Sequence, residues 1–236
     1  MNSLLIPRRA LPLIVFQRTE YLEKRLHLLG RVVRRLPILH RFFVYLKSIL
    51  YAAEVRELFT RDMRAEFDAI RPFLPSTASA ILDIGSGVGG VDVFLGEYYK
   101  NEVDIYLLDK TAVDRRVFYK FESRGSFYND MSLAQELLVQ NGMPRERIHL
   151  QEATDDNRIL FEARFDVVLS LISWGFHYPV GTYLPAVYSA LKPGGVLLLD
   201  VRAGTDGEKE IERVFGNCEI ISRRGKIVKI RATKKG

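Results

Sequence analysis

The amino-acid sequence predicts an α/β fold: a doubly wound, mostly parallel sheet of seven strands with an antiparallel last strand, preceded by a helical N-terminal extension. Three observations predict it. From residue 80 onward, short apolar runs alternate with stretches of helical periodicity, as in the β-α units of a parallel sheet. A glycine-rich turn follows the first apolar run directly. The last two runs are separated by a short turn that contains Gly225, which favours an antiparallel hairpin.

Each predicted strand is a short run of mainly apolar residues. The seven runs are residues 80–84, 104–108, 148–151, 167–171, 196–201, 218–222 and 227–231. Strands of a parallel sheet are buried on both faces, so continuous apolar runs are expected there instead of strict alternation.

The chain before residue 75 has helical periodicity. Prolines end two of the three predicted helices, which cover residues 18–36 (before Pro37), 39–59 and 60–70 (before Pro72). We place the boundary between a basic helical extension, residues 1–59, and the main domain, residues 60–236, at the end of the second helix.

The extension carries most of the positive charge. Residues 1–50 contain ten Lys and Arg against two Glu, a net charge of +8, and the remainder of the chain has a net charge of −2. Its arginines alternate with long aliphatic residues, which favours peripheral contact with a membrane surface or packing against a partner over binding of nucleic-acid phosphates. The alternative is that residues 38–59 pack over the mouth of the active site.

Composition excludes several classes of protein. Hydrophobic residues make up 47% and charged residues 27% of the 236 residues, which is typical of a globular chain. The single cysteine, Cys218, excludes an internal disulfide and a zinc site built from several cysteines. No apolar run reaches the roughly 18 residues of a transmembrane helix, and no secretory leader is recognisable. We therefore expect a cytoplasmic protein.

The glycine-rich turn reads Gly85-Ser86-Gly87-Val88-Gly89-Gly90 and leads into a predicted helix. Glycines at such a turn let the backbone approach a ligand at the helix N-terminus. A dinucleotide site has a similar pattern, and Asp109 lies where an acid would bind its ribose. Asp83 decides between the ligands, because a carboxylate beside the loop would repel a pyrophosphate. It suits S-adenosyl-L-methionine, which carries an ammonium and a sulfonium group and no phosphate.

Five motifs follow one another along residues 60–236. They are Asp83-x-Gly85-x-Gly87-x-Gly89, Leu107-Leu108-Asp109, Glu152-Ala153, Phe165-Asp166-Val167-Val168 and Leu191-Lys192-Pro193-Gly194-Gly195. In this order they resemble the motifs of class I S-adenosylmethionine-dependent methyltransferases. The resemblance implies a Rossmann-like sheet whose seventh strand is inserted antiparallel, with S-adenosylmethionine as the cofactor.

The resemblance also implies contacts with the cofactor. Asp83 and the glycine loop would surround the methionine part, Asp109 would bind the ribose hydroxyls, and Glu152 would lie near the adenine amino group, where the family more often has Asp. The predicted cofactor-binding residues are Asp83, Gly85, Ser86, Gly87, Gly89, Asp109, Lys110, Glu152, Ala153 and Ser170. Residues 192–195 are interpreted as a turn that starts a strand, with no part in the chemistry.

The segment after the fourth predicted strand is expected to face the transferable methyl group, because ligands of open α/β sheets bind at the carboxyl ends of the strands. It contains the only tryptophan, Trp174, followed by His177 and Tyr178. It lacks the Asn/Asp-Pro-Pro-Tyr/Phe tetrapeptide typical of enzymes that methylate adenine or amide nitrogens. We predict His177 as a general base for a hydroxyl substrate, Tyr178 as the second candidate and Trp174 as a substrate contact. The competing interpretation is that His177 and Trp174 fill a corner between helix and strand.

A second candidate substrate surface is the long connection between the second and third predicted strands. Residues 115–129 interleave basic and aromatic side chains and end in Phe127, Tyr128 and Asn129, which can stack on sugars or bases. The alternative is a lid that packs through its aromatic residues. Phe127-Tyr128-Asn129 and residues 174–179 are similar to methyltransferases in bacterial surface-polysaccharide gene sets, which implies a glycan acceptor.

These observations favour an O-methyltransferase for a small-molecule or glycan hydroxyl, which acts mainly by proximity and orientation. One alternative is a nucleic-acid (RNA) methyltransferase that grips phosphates with residues 1–50. The other is a binding module that retains S-adenosylmethionine and has lost catalysis. We expect no metal site, because Asp155-Asp156-Asn157 follows a predicted strand where a polar turn explains it.

Overall fold

The computed structural model describes residues 3–18, 21, 44–46, 48–113 and 128–236. Most of the predicted helix over residues 18–36 lies outside the described residues, as does part of the helix predicted over 39–59. Phe127 and most of the second candidate substrate surface lie outside them as well.

Seven of the ten strands in the described residues occur where the apolar runs predict them, whereas the strands at 112–113, 128–129 and 173–178 were not predicted. The strands are β1 (Ala80–Ile84), β2 (Asp104–Asp109), β3 (Ala112–Val113), β4 (Tyr128–Asn129), β5 (Ile148–Glu152), β6 (Phe165–Ser170), β7 (Ser173–Tyr178), β8 (Leu191–Arg202), β9 (Glu219–Arg224) and β10 (Ile227–Thr233). Seven of them form one sheet in the order β5-β2-β1-β6-β8-β10-β9, and β3 pairs with β4 separately. The neighbours from β5 to β8 are parallel, whereas β10 is antiparallel to both β8 and β9. The predicted seven-stranded sheet with its antiparallel last strand is therefore confirmed.

Helices flank the sheet along the described residues. They are α1 (Ala10–Gln17), α2 (Ala52–Ile70), α3 (Gly90–Tyr98), α4 (Met131–Gln140), α5 (Leu184–Ala190) and α6 (Gly207–Phe215). α2 passes through residues 59 and 60 without a break, so the two helices predicted to meet there are one. Its buried residues recur every three or four positions, which gives it a single apolar stripe. No helix in the described ranges is long and apolar enough to cross a membrane.

The sheet separates two apolar cores. Every residue of β1 is buried. Ile81 belongs to the core that also contains the buried side chains of α2, α3 and α4, while Leu82 and Ile84 belong to the core beneath α5 and α6. This two-sided burial is the reason that the strand reads as an uninterrupted apolar run.

The N-terminal segment packs into the first of these cores. Leu11 and Ile14 of α1 are 1% and 0% exposed, and the backbone N–H of Leu4 donates to Oγ1 of Thr60 at 3.1 Å. Each fully buried Leu or Ile stabilises a fold by about 1.5–3 kcal/mol. Deleting residues 1–50 would therefore destabilise the protein.

A hydrogen-bonded cluster ties together the amino ends of β1, β6 and β8. Oδ2 of Asp166 accepts from the backbone N–H groups of Ser79 at 2.8 Å and Ala80 at 3.0 Å, and from Nζ of Lys192 at 2.8 Å. Nζ of Lys192 also donates to Oγ of Ser79 at 2.7 Å. Burial alone would raise the pKa of Asp166, but the hydrogen bonds from Lys192 and from residues 79 and 80 outweigh burial and lower it. Lys192 thus has a structural part at the edge of the sheet opposite the glycine loop.

Candidate functional site

The turn between β1 and α3 has a left-handed backbone at three glycines. Gly85, Gly87 and Gly89 have φ angles of +78°, +59° and +76°, which cost glycine far less than other residues. The N–H of Gly85 donates to the carbonyl oxygen of Leu108 at 2.7 Å. The loop therefore starts from the carboxyl edge of the sheet, where open α/β sheets bind their ligands.

Side chains of three other elements enclose the glycine loop. A Cβ at Gly85 would lie 1.9 Å from Oγ of Ser173, and one at Gly89 would lie 2.6 Å from Cδ1 of Leu138. A Cβ at Gly87 would lie 3.2 Å from Oε1 of Gln17, at the end of α1. Ser173, at the start of β7, thus excludes a side chain at Gly85, and Leu138 of α4 excludes one at Gly89. The N-terminal segment lies next to the loop at Gly87.

Asp109 ends β2 beside the glycine loop. Its Oδ2 accepts from the N–H of Gly87 at 2.7 Å, and its Oδ1 accepts from the N–H of Lys110 at 2.6 Å. Burial raises the pKa of Asp109 to about 6, against the hydrogen bonds from the backbone N–H groups of Gly87 and Lys110. The structure thus brings together Asp109, Gly87 and Lys110, three of the predicted cofactor-binding residues.

Asp83 lies in β1 with its side chain buried. Oδ1 of Asp83 and Oγ of Ser86 are buried without a hydrogen-bond partner among the described residues. Burial raises the pKa of Asp83 well above its usual value, and the nearby carboxyl groups of Asp92 and Asp109 raise it further. A buried polar group normally has a partner, so unpartnered atoms beside an open glycine loop are typical of a ligand site.

The predicted adenine-side residues follow β5, next to the end of β2. Glu152 pairs in register with Asp109, and the N–H of Ala153 donates to the carbonyl oxygen of Asp109 at 2.8 Å. Nζ of Lys110 lies 3.4 Å from Oδ1 of the exposed Asp155. The parallel pairing of β2 and β5 thus holds Glu152 and Ala153 beside Asp109.

Ser170 and Trp174 are fully buried in the protein core. Oγ of the fully buried Ser170 donates to the carbonyl oxygen of Ile84 at 2.6 Å and accepts from the N–H of Trp174 at 3.0 Å. Trp174 is 0% exposed, and its indole Nε1 donates to the carbonyl oxygen of Val180 at 2.8 Å. Ser170 therefore links the ends of β1 and β6 to β7 instead of offering a hydroxyl to the cofactor. Trp174 has no exposed surface for the predicted contact with substrate, because it packs inside the second core.

His177 and Tyr178 lie at the end of β7, past the carboxyl end of β8. The ring of His177 packs edge-on against Phe176 at a centroid distance of 5.2 Å. Partial burial lowers the pKa of His177, and the positive charge of Arg202 lowers it further. The imidazole is therefore neutral at physiological pH, as a general base requires. Tyr178 is half-buried and packs against the second core.

Asn129 lies on the cofactor side of the site. β4 pairs with β3, which places Asn129 opposite Ala112, three residues after Asp109. Asn129 is 3% exposed, and Nδ2 of its amide has no hydrogen-bond partner among the described residues. Its contact with substrate therefore stays a prediction. The backbone of Tyr128 pairs with that of Val113.

Two solved structures that are similar to this chain are methyltransferases. T. thermophilus 16S rRNA methyltransferase RsmC, in complex with AdoMet and guanosine, is 18% identical, with a TM-score of 0.52 over 71% of this chain and 41% of its own. The StiE O-MT is 13% identical, with a TM-score of 0.53 over 80% of this chain and 81% of its own. The chain has the class I methyltransferase fold. No protein-family description matches the sequence, and no curated protein matches it.

Two residues near the glycine loop were not predicted from the sequence. Asp92, in the first turn of α3, is 0% exposed and adjoins Asp83. An acid inside the apolar stretch from Gly90 to Leu95 was a usable signal for it. Gln17 had no such signal, because only the docking of α1 brings it to Gly87.

A buried ion-pair network was also missed. Nζ of Lys229, in β10, lies 2.7 Å from Oδ1 of Asp200 in β8 and 3.2 Å from Oε2 of Glu66 in α2. The carboxyl of Asp200 also accepts a hydrogen bond from the N–H of Ile172, just before β7. The network therefore connects α2 with the segment that carries Ser173 to the glycine loop. In the described part of the chain, no group of three or more His, Cys, Asp or Glu side chains could hold a metal ion.

Proposed function

We propose that this protein is an S-adenosylmethionine-dependent methyltransferase that methylates a hydroxyl group. The observation that carries the proposal is the glycine loop, which has three left-handed glycines and lies between the buried Asp83 and the half-buried Asp109. The unpartnered oxygens of Asp83 and Ser86 fit a ligand with ammonium and hydroxyl donors. The methyltransferases that share the fold support the same cofactor.

Different residues around the loop would bind different parts of the cofactor. Asp83 would accept from the ammonium group, the backbone of residues 85–89 would line the methionine part, and Asp109 would accept from the ribose hydroxyls. Glu152 and Ala153 would lie along the adenine. When bound, the cofactor supplies an electrophilic methyl group on its sulfonium sulfur. The chain itself positions the cofactor, because Ser173, Leu138 and Gln17 close the sides of the loop.

His177 is the proposed general base. An alcohol is a weak nucleophile near neutral pH, and a base that accepts its proton during transfer typically contributes about 10²- to 10⁴-fold in rate. Nε2 or Nδ1 of a neutral imidazole can accept that proton, and the lowered pKa of His177 keeps the ring neutral. Tyr178, the next residue of β7, is the second candidate.

The proposed acceptor is a hydroxyl of a small molecule or a glycan. The choice of oxygen over nitrogen rests on His177 and on the absence of the tetrapeptide typical of nitrogen methylation. StiE, whose O-MT shares the fold, supports oxygen, whereas RsmC supports the RNA alternative. Incubation with methyl-labelled S-adenosylmethionine and fractionated cell extract distinguishes them, because label would enter saccharide or small molecules in the first case and RNA in the second.

A pair of histidine variants tests the chemistry. We expect His177→Ala to lower turnover on the labelled acceptor by about 10²- to 10⁴-fold while the Kd for S-adenosylmethionine is unchanged. His149→Ala is the matched control, because His149 stacks on Tyr106 in β2 and bonds Asp104, away from β7. Calorimetry that finds NAD binding and no S-adenosylmethionine binding would overturn the whole proposal.

We also propose a peripheral contact with anionic membranes. Tyr45, Leu46, Ile49 and Leu50 expose 56%, 40%, 51% and 67% of their surface, beside a segment whose net charge is +8 over residues 1–50. Apolar side chains combined with basic residues are typical of interfacial binding. In flotation with acidic vesicles at low salt, the protein should float, and Ile49→Ser with Leu50→Ser should stay at the bottom. Leu160→Ser, which also removes an exposed leucine, should float like the unaltered protein.

A further inference from the structure

Two buried carboxyl groups meet beneath the glycine loop. Asp83 in β1 and Asp92 in α3 are 5% and 0% exposed. Both oxygens of Asp92 and Oδ1 of Asp83 receive no hydrogen bond from any donor in the described part of the chain. The two carboxyl groups lie within hydrogen-bonding distance of each other. They are thus each other's polar contact.

Such a contact requires a proton. Two ionised carboxylates have no donor between them and repel, whereas one proton turns the contact into a hydrogen bond. The neighbouring charge at the end of β2, that of Asp109, is also negative and opposes ionisation of Asp83. The pair therefore carries one proton and one negative charge when nothing else is bound.

Among the described residues, no Lys, Arg or His side chain forms an ion pair with Asp83 or Asp92. α2 faces Gly90 with Met63 and Phe59, and α4 faces Gly89 with Leu138. Arg64 of α2 packs on Phe94 of α3 and pairs with Glu97. The proposed cofactor carries a cation for the pair in its ammonium group.

We propose that Asp92 is a positioning residue for the cofactor: it shares one proton with Asp83 in the free protein, and this proton leaves when the ammonium group binds Asp83. The inference rests on the proposed function and deepens it. The step balances in charge, because one shared proton is released to solvent as one positive ammonium group binds the carboxylate of Asp83. The negative charge of Asp92 then lies behind Asp83 and strengthens the attraction for the ammonium group without touching the cofactor.

Calorimetric titration of the full chain with S-adenosylmethionine at pH 7.0 measures this proton directly. At that pH an α-amino group is mostly protonated, since even the α-amino group of a peptide has a pKa of about 7.7–8.0. Titrations in phosphate and in Tris, whose ionisation enthalpies differ, should show release of close to one proton per cofactor bound. The Kd should also fall with rising pH, by at most tenfold per pH unit for one proton.

Variants assign the proton to the pair. In Asp92→Asn the amide can donate to an ionised Asp83, so proton release at pH 7.0 should fall to half or less. Asp83→Asn should abolish it, and Asp68→Asn, which removes an exposed carboxylate of α2, should match the unaltered protein. Thermal unfolding of each variant reports whether it is folded.

The outcomes separate this inference from the proposed function. Absence of S-adenosylmethionine binding at every pH overturns both. Binding without proton release overturns the inference and leaves the proposed function standing, as does release that is equal in Asp92→Asn and the unaltered protein. If Asp92→Asn does not fold, the buffer dependence of the unaltered chain and of Asp83→Asn still decides the matter.

Discussion

Aspartate side chains at the two edges of the sheet have pKa values that are shifted in opposite directions. At the amino edge, Asp166 accepts hydrogen bonds from Ser79, Ala80 and Lys192, and its pKa is lowered. At the carboxyl edge, Asp83 is more deeply buried, lacks a partner at Oδ1, and has a raised pKa. Both are aspartates next to a strand end, so the difference comes from what the surrounding chain donates.

This contrast indicates what each edge is for. A carboxylate that is fully hydrogen-bonded stabilises the fold, whereas a buried carboxyl without donors costs stability and is retained where a ligand completes it. The amino edge therefore fastens β1, β6 and β8, and the carboxyl edge keeps donors and charge for the cofactor. A substitution at one edge should therefore change either stability or cofactor binding.

The largest effect is expected from filling the glycine loop. Gly85→Ala and Gly194→Ala both place a side chain at a left-handed φ, +78° and +77°, at a cost of about 1–2 kcal/mol each. A Cβ at Gly85 also meets Oγ of Ser173 at 1.9 Å, whereas one at Gly194, near the amino end of β8, meets nothing within 4 Å. We expect Gly85→Ala to lose measurable S-adenosylmethionine binding in calorimetry and Gly194→Ala to keep it. Equal affinities for the two variants would contradict the proposed site.

Exchanging one aspartate at each edge should separate stability from binding. Asp166→Ala leaves the ammonium of Lys192 and two backbone N–H groups without their acceptor, so the free energy of unfolding should fall by about 1.5–3 kcal/mol with an unchanged cofactor Kd. Asp83→Asn replaces a buried acid by a neutral isostere, so the Kd should rise at least tenfold and the free energy of unfolding should not fall. Denaturant unfolding and calorimetry measure both. The comparison fails if Asp166→Ala weakens binding as much as Asp83→Asn.

The sheet was predictable because burial on both faces leaves its mark on every strand. Residues 80–84 are apolar except for Asp83, and the strand begins and ends where the run does. The insertion of the seventh strand into the sheet came from the family resemblance, since an apolar run does not identify its neighbours. The extended β7 and the unbroken α2 were missed, because periodicity over residues 39–70 indicates helix and not where one helix stops.

The site was predictable only in part. Asp83, Asp109 and the glycine loop are contiguous with strand ends, so their proximity follows from the parallel sheet. Trp174 was misassigned because a lone tryptophan near a site has the same sequence signature whether it contacts substrate or fills a core. The part of Gln17 depends on how α1 docks, a long-range contact that no local pattern records.

The pH dependence of stability should carry the sign of the carboxyl edge. An acid whose pKa is raised by folding stabilises the fold below its unfolded pKa and loses that contribution as the pH rises through the folded pKa. Burial raises the pKa of Asp92 to about 7 and that of Asp109 to about 6, so the free protein should lose stability as the pH rises from about 5 to about 7. In Asp92→Asn this loss should shrink by at least about 1 kcal/mol, since one unit of pKa shift corresponds to about 1.36 kcal/mol.

The amino edge does not interfere with that measurement. The lowered pKa of Asp166 gives a contribution that is present above its unfolded pKa and lost only as the pH falls through the folded value, outside the range from about pH 5 to pH 7. Urea unfolding at several pH values, with the cofactor absent, gives the slope. A slope in Asp92→Asn identical to that of the unaltered protein would show that this carboxyl does not titrate in the range.

The smallest expected effect concerns Arg202, at the end of β8. Its guanidinium lies 5.7 Å from the ring centre of Phe176, which neighbours His177. Partial burial lowers the pKa of His177 first, and the charge of Arg202 adds to it. Arg202→Gln should therefore move the imidazole titration to higher pH without changing the fold.

The readout is the proton NMR titration of the histidine C2–H signals, of which the chain has four, with His177 assigned by its loss in His177→Ala. Arg231→Gln is the control, because it removes the same charge from β10, where Arg231 pairs with Glu219. A shift confined to Arg202→Gln ties His177 to the carboxyl end of β8. Equal shifts in both variants would mean that His177 responds to net charge alone, and the neutral base at the carboxyl edge would then depend on burial and not on Arg202.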